Sequence, residues 1–173
     1  RPNAELRANH AAPDEKILMH ISNFRPVKRA LDVVEIFARV NKSMRSKLLL
    51  VGEGPDLPKV QQKVKELNLV DQVVYLGKQD DVAELISLAD LLLLPSEKES
   101  FGLVALEAMA CGVPTIGTNA GGIPELITHG ETGYLANIGD TGRMSDYAIQ
   151  LLSNESLYEQ FSDSCVKRAH HHF

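Results

Sequence analysis

Four consecutive leucines, Leu91 to Leu94, stopped by Pro95, constrain this chain more than any other feature. A short run without polar alternation reads as a strand buried on both faces, and such strands belong to parallel sheets covered by helices on both sides. A polar loop follows, and Gly102 to Cys111 then reads as a helix ended by Gly112 and Pro114. That helix is apolar almost all round, with Leu103, Val104, Ala105, Leu106, Ala108, Met109 and Ala110, which predicts a buried element. Glu107 is its one charge. In such surroundings a carboxylate needs a neighbouring Arg or Lys, or a ligand with adjacent hydroxyls, to offset its lost hydration.

The rest of the chain repeats the strand-to-helix pattern. Strands are expected at Ile17 to Ser22, Lys47 to Val51, Val73 to Leu76, Thr115 to Gly117 and Thr132 to Leu135. Helices are expected from Val27 to Val40, from after Pro55 to about Leu67, in a short piece ending at Leu88, in another around Glu125, and at Gly142 to Leu152 and Glu155 to Ala169. Alternation with short connections predicts an α/β fold, a doubly wound, Rossmann-like parallel sheet with crossover helices. Ligands in such sheets bind at the carboxyl ends of the strands. Residues 1–15 lack periodicity and read as a linker, so the domain proper is expected at 16–173.

Several loops at that edge carry chemistry. After the first strand, Asn23-Phe-Arg-Pro-Val-Lys-Arg29 concentrates Arg25, Lys28 and Arg29 at a helix start, where cations oppose the helix dipole unless something anionic is held there. A forked guanidinium beside an ammonium suits a diphosphate. Gly52 and Gly54 after the second strand permit either a simple tight turn or close approach of backbone to a ligand. Glu99 precedes the central helix, whose first free amides favour anions. It is either a solvated or capping carboxylate, or the partner of Glu107 in flanking an anion site; the two lie eight positions apart. His170, His171 and His172 end a polar helix and read as a solvated face.

The spacing Glu99-x7-Glu107, followed by Ala108-Met-Ala-Cys-Gly-Val-Pro114 and Gly121-Gly-Ile-Pro-Glu125, resembles the retaining glycosyltransferases of family 4. The resemblance implies the C-terminal, donor-binding half of a GT-B enzyme, with residues 1–15 leading from a missing N-terminal acceptor domain. It implies that Glu99 and the amides of Ser100, Phe101, Gly102 and Leu103 contact the donor sugar, that Glu107 holds the ribose, and that the uracil lies against Lys78 and Val82. Lys28 transfers as a catalytic cation. Arg25 is its expected partner although it stands three positions before Lys28 rather than five; Asn23 occupies the fifth position, and Arg29 replaces the glycine that usually follows the lysine. The wording of Ile21 to Arg29, Tyr75 to Asp80 and Ser96 to Phe101 is most similar to family members that transfer GlcNAc from UDP-GlcNAc to the hydroxyl of L-malate in bacillithiol biosynthesis. Another nucleotide-sugar GT-B reaction, including UDP-GlcNAc 2-epimerisation, and a non-catalytic nucleotide-sugar-binding module are the alternatives.

With a formal charge of −5 and no long basic run, nucleic acid and anionic membranes are not expected partners. No stretch approaches the length of an apolar membrane span, and Cys111 and Cys165 are too few for a disulfide framework, so free buried thiols and a cytoplasmic setting are expected. No metal motif with partners is evident, so the cations are expected to serve in place of a divalent ion, without a cofactor. A homo-oligomer is compatible with the sequence. Because the chain begins at Arg1 without Met, it is expected to be a piece of a longer protein.

Overall fold

The computed structural model describes residues 4–99 and 102–173. In chain order the elements are α1 (Ala4–Ala8), β1 (Lys16–Ile21), α2 (Ala30–Ser43), β2 (Ser46–Val51), α3 (Leu57–Glu66), β3 (Val73–Gly77), α4 (Val82–Ile86), β4 (Leu91–Leu94), α5 (Leu103–Ala110), β5 (Thr115–Thr118), α6 (Ile123–Leu126), β6 (Gly133–Ala136), α7 (Thr141–Ser153) and α8 (Glu155–His172). Each strand lies within one residue of its expected limits. The six strands are parallel in the order β3-β2-β1-β4-β5-β6. The order reverses between β1 and β4, and that is where a doubly wound sheet opens a crevice.

Alternation along each strand divides the core. Leu18, Leu48, Leu50, Leu91, Leu93 and Ile116 pack on one face with Val33, Phe37 and Val40 of α2 and Met144, Ala148 and Leu151 of α7. Ile17, Met19, Leu49, Leu92 and Leu94 pack on the other with Ile86 of α4, Ala105, Ala108 and Met109 of α5, and Cys165 of α8. All four residues of β4 are buried, because helices cover both of its faces.

Three local expectations are corrected. The segment before β1 is not irregular throughout. It contains α1, and Arg7 ties it down by donating to the carbonyls of Leu88 (2.6 Å) and Glu15 (2.7 Å) and to the Asp90 carboxylate (3.1 Å). A helix of one turn shows no periodicity, so only the tertiary anchor reveals it. Next, the helix expected from Val27 begins at Ala30: Pro26 to Lys28 form a 3₁₀ turn, and Arg29 adopts a left-handed conformation (φ 52°) between the two. Finally, Cys111 at the end of α5 is exposed, whereas Cys165 is buried and its thiol is pushed up to about 12 by burial.

Candidate active site at the sheet switch point

The crevice between β1 and β4 holds a cleft of about 370 Å³ lined by Asn23, Arg25, Val27, Lys28, Lys98, Glu99, Gly102, Leu103 and Val104. Two loops build it. One leaves β1 and carries Asn23 to Lys28; the other leaves β4 and carries Ser96 to Glu99 before opening α5. Backbone joins them where the Glu97 amide donates to the Val27 carbonyl at 2.7 Å. Side chains join them where Lys28 Nζ donates to both carboxylate oxygens of Glu99, at 3.0 and 3.2 Å. Both partners are about five-sixths buried, with side-chain exposures of 17% and 16%.

Glu99 is held from several sides. The buried Ser96 hydroxyl donates to its Oε1 at 3.2 Å, and the Thr118 hydroxyl holds the Ser96 carbonyl at 2.6 Å. The Gly122 amide donates to the Glu99 carbonyl at 2.9 Å, and a Cβ on Gly121 would stand 2.6 Å from that carbonyl oxygen. The glycine pair before α6 therefore presses directly on the Glu99 backbone, which only a residue without a side chain permits. Sequence reasoning read these glycines as a family motif and missed this contact.

Arg25 and Lys98 are exposed and make no ion pair among the described residues, so the cleft wall carries two uncommitted cations besides Lys28. Arg29 is committed elsewhere: it pairs with Asp32 (2.6 Å) and Glu97 (3.0 Å), contacts that hold its guanidinium in the charged form and explain how a non-glycine residue is kept in left-handed geometry here.

The expected buried setting of Glu107 is not found. Glu107 is exposed, and its carboxylate has no hydrogen bond or ion pair among the described residues. The helix is one-sided after all: Ala105, Ala108 and Met109 face the core, while Leu103, Glu107 and Ala110, spaced as one helical stripe, face outward. Leu103 is 66% exposed at the cleft rim. Sequence could not distinguish this because small and apolar residues occupy both faces.

Gly52 and Gly54 also have a different explanation from ligand approach. A Cβ on either would overlap the carbonyl oxygen of Ser22 or Asn23, respectively, so both glycines seat the β1 loop against the β2 loop. Lys78 is exposed in the loop after β3, and Val82 is half-buried at the start of α4; neither lines the cleft. With β3 two strand spacings from β1, roughly 10 Å, only an elongated ligand lying across the carboxyl edge could touch both. Ser100 and Phe101 lie outside the described residues.

His20, which sequence reasoning passed over, is fully buried beneath the cleft. Burial pushes its imidazole down to about 4, partly opposed by the hydrogen bond to the Leu93 carbonyl. A polar residue inside an otherwise apolar strand was the available signal.

A family model described as glycosyl transferases group 1 matches residues 3–168. The chain belongs to that family. Among relatives of this group 1 domain, the N-acetyl-alpha-D-glucosaminyl L-malate synthase of Bacillus anthracis is 57% identical over 159 residues, which are 92% of this chain and 42% of that protein. Among solved structures, S. aureus TarM in complex with fondaparinux, alpha-GlcNAc-glycerol and UDP is 26% identical with a TM-score of 0.81, covering 91% of this chain and 33% of that one. The C-terminal domain of the group 1 protein LpcC from Francisella tularensis is 25% identical with a TM-score of 0.84, covering 96% of this chain and 90% of that domain. The fold is thus that of a GT-B glycosyltransferase domain, and the chain spans less than half of its curated relative. No helix among the described residues is long and apolar enough to cross a membrane.

Proposed function

We propose that this chain is the donor-binding domain of a retaining glycosyltransferase that takes UDP-GlcNAc and, with an acceptor-binding N-terminal domain, transfers GlcNAc to the hydroxyl of L-malate in the cytoplasm. The observation that carries this reading is the 57% identity to the N-acetyl-alpha-D-glucosaminyl L-malate synthase across 159 residues that include the whole cleft. In this reading residues 16–173 hold the nucleotide sugar and residues 1–15 lead from the acceptor domain. The diphosphate takes Lys28 and Arg25, Glu99 accepts from sugar hydroxyls, Glu107 accepts from the ribose diol, and the uracil reaches the Lys78 and Val82 loop.

The chemistry follows from charge. As the glycosidic bond breaks, negative charge grows on the β-phosphate, and preorganised cations stabilise that change without reorganisation. Lys28 and Arg25, with the amides opening α5, supply this in place of a divalent ion. Retention is assigned to attack on the same face from which UDP departs, with the leaving phosphate accepting the proton of the acceptor hydroxyl. A trapped glycosyl adduct on Glu99 would overturn that assignment.

Calorimetric titration with UDP, ADP and UDP-GlcNAc, first without metal and then with Mg²⁺, tests the donor role. Selective, metal-independent binding of the uridine compounds is expected. A preference for ADP would remove UDP-GlcNAc as the donor, and a strict need for Mg²⁺ would remove the metal-free mechanism.

A further inference from the structure

β1 stays paired with β2 along its whole length, from Lys16↔Ser46 to Ile21↔Val51. Its pairing with β4 spans only Leu18↔Leu91 and Met19↔Leu92. The ladder between the two central strands thus ends at Met19, at the edge where a doubly wound sheet opens its crevice. The next residue, His20, bridges the gap with its side chain. Nδ1 lies 2.9 Å from the Leu93 carbonyl oxygen, which can only accept, so Nδ1 carries the proton. Nε2 is then an acceptor, and it receives the Ser22 hydroxyl at 2.9 Å. The Ser22 oxygen in turn accepts from the Phe24 amide at 3.1 Å.

These three bonds form a directed relay, from the Phe24 amide through Ser22 and His20 to the Leu93 carbonyl. One end lies in the loop that leaves β1, and the other lies in β4 one residue before that strand's end. Phe24 is fully buried, is held at φ 51°, and packs edge-on to the imidazole with ring centroids 5.6 Å apart. Four residues after Phe24 comes Lys28, and six after Leu93 comes Glu99, the pair that meets across the cleft.

We infer that His20, with Ser22, is a positioning residue that sets the separation of the β1 and β4 loops and so the place where Lys28 and Glu99 meet. The imidazole replaces the missing backbone ladder with a side chain of fixed length. The strands can thus diverge for a ligand without the loops drifting apart. A strand pair that simply continued its ladder would close the crevice. The consequence for ligand binding rests on the donor-domain reading; the consequence for the loops does not.

The test uses this chain with His20→Leu, His20→Asn and Ser22→Ala. Asparagine places an amide donor close to the position of Nδ1, so His20→Asn keeps the bond to Leu93 while losing the acceptor for Ser22. Amide hydrogen exchange followed by NMR is expected to accelerate in His20→Leu over residues 22–28 and 93–99, with β2, β3, β5, β6 and α7 unchanged, and to be largely restored in His20→Asn near Leu93. Uniform acceleration across the sheet, or none, would overturn the inference and leave His20 as ordinary core. In parallel, His20→Leu is expected to weaken UDP binding about tenfold, since misplaced contact groups lose much of their effect, with Ser22→Ala intermediate and His20→Asn closer to the parent. Unchanged UDP affinity in His20→Leu would also overturn it. If the parent chain bound no UDP, the donor reading would fall, and the exchange pattern would still decide the role of His20.

Discussion

Glu99 is ion-paired with Lys28, so an incoming diphosphate must compete with a carboxylate already in place. Glu99→Gln removes the competitor while keeping the shape. At 3.0 Å and an effective dielectric of about 20, the gross attraction is roughly 5–6 kcal/mol. Most of it offsets the dehydration of two largely buried ions, leaving about 1–2 kcal/mol net. Inorganic pyrophosphate and UDP should therefore bind about tenfold tighter to the variant, since each ~1.4 kcal/mol is a factor of ten. UDP-GlcNAc should gain less, because Glu99 also loses its contact with the sugar. Without ligand the variant leaves Lys28 without its ion-pair partner, and its Tm should fall by about 2–8 °C, at roughly 2–4 °C per kcal/mol for a chain of this size. Calorimetry and thermal unfolding read both effects. Unchanged or weaker pyrophosphate binding by a folded variant would refute the competition and detach Lys28 from the diphosphate.

Three further outcomes follow from the same geometry. Gly54→Ala drives a methyl into the Asn23 carbonyl, so it should destabilise by about 1–3 kcal/mol in chemical denaturation and displace the Asn23 to Lys28 loop, whereas a variant of unchanged stability would mean the close approach is not rigid. The Glu107 carboxylate is exposed and without a partner among the described residues, so Glu107→Gln should leave stability within about 0.5 kcal/mol while weakening UDP binding, and an unchanged affinity would end its ribose role. His20 is neutral in the fold, at about 4 against an ordinary 6.5, so the unfolded chain takes up the extra proton as pH falls between these values. Measured relative to His20→Leu, the parent should lose roughly 3 kcal/mol from pH 6.5 to 4, and flat relative stability across that window would contradict the buried neutral imidazole.

Fold class was legible because the hydrophobic effect writes it locally. Leu91 to Leu94 could only be a covered central strand, and repeated apolar runs followed by helical spacing could only stack as a parallel sheet. The candidate site was partly legible for the same reason, since loops after successive strands must share one edge. Lys28, Arg25, Glu99, Gly102 and Leu103 indeed line one cleft. Identity of side chains thus determined which elements form and which edge carries the chemistry.

What lay beyond the sequence was every property that depends on who faces whom. Glu107 looked buried because its helix is apolar in composition, but exposure is set by which stripe meets α8 and the sheet. Gly52 and Gly54 could be read as a simple tight turn or as ligand glycines, and the atoms that exclude a Cβ there belong to Ser22 and Asn23, some 30 residues away in sequence. The docking of α1 depends on Arg7 reaching Leu88 and Asp90, and the pairing of Lys28 with Glu99 spans 71 positions. His20 acquires its meaning only because the ladder between β1 and β4 ends at the residue before it. Periodicity records the solvent-averaged preference of each side chain; contacts between distant segments arise only when the chain closes, and tertiary structure alone decides them.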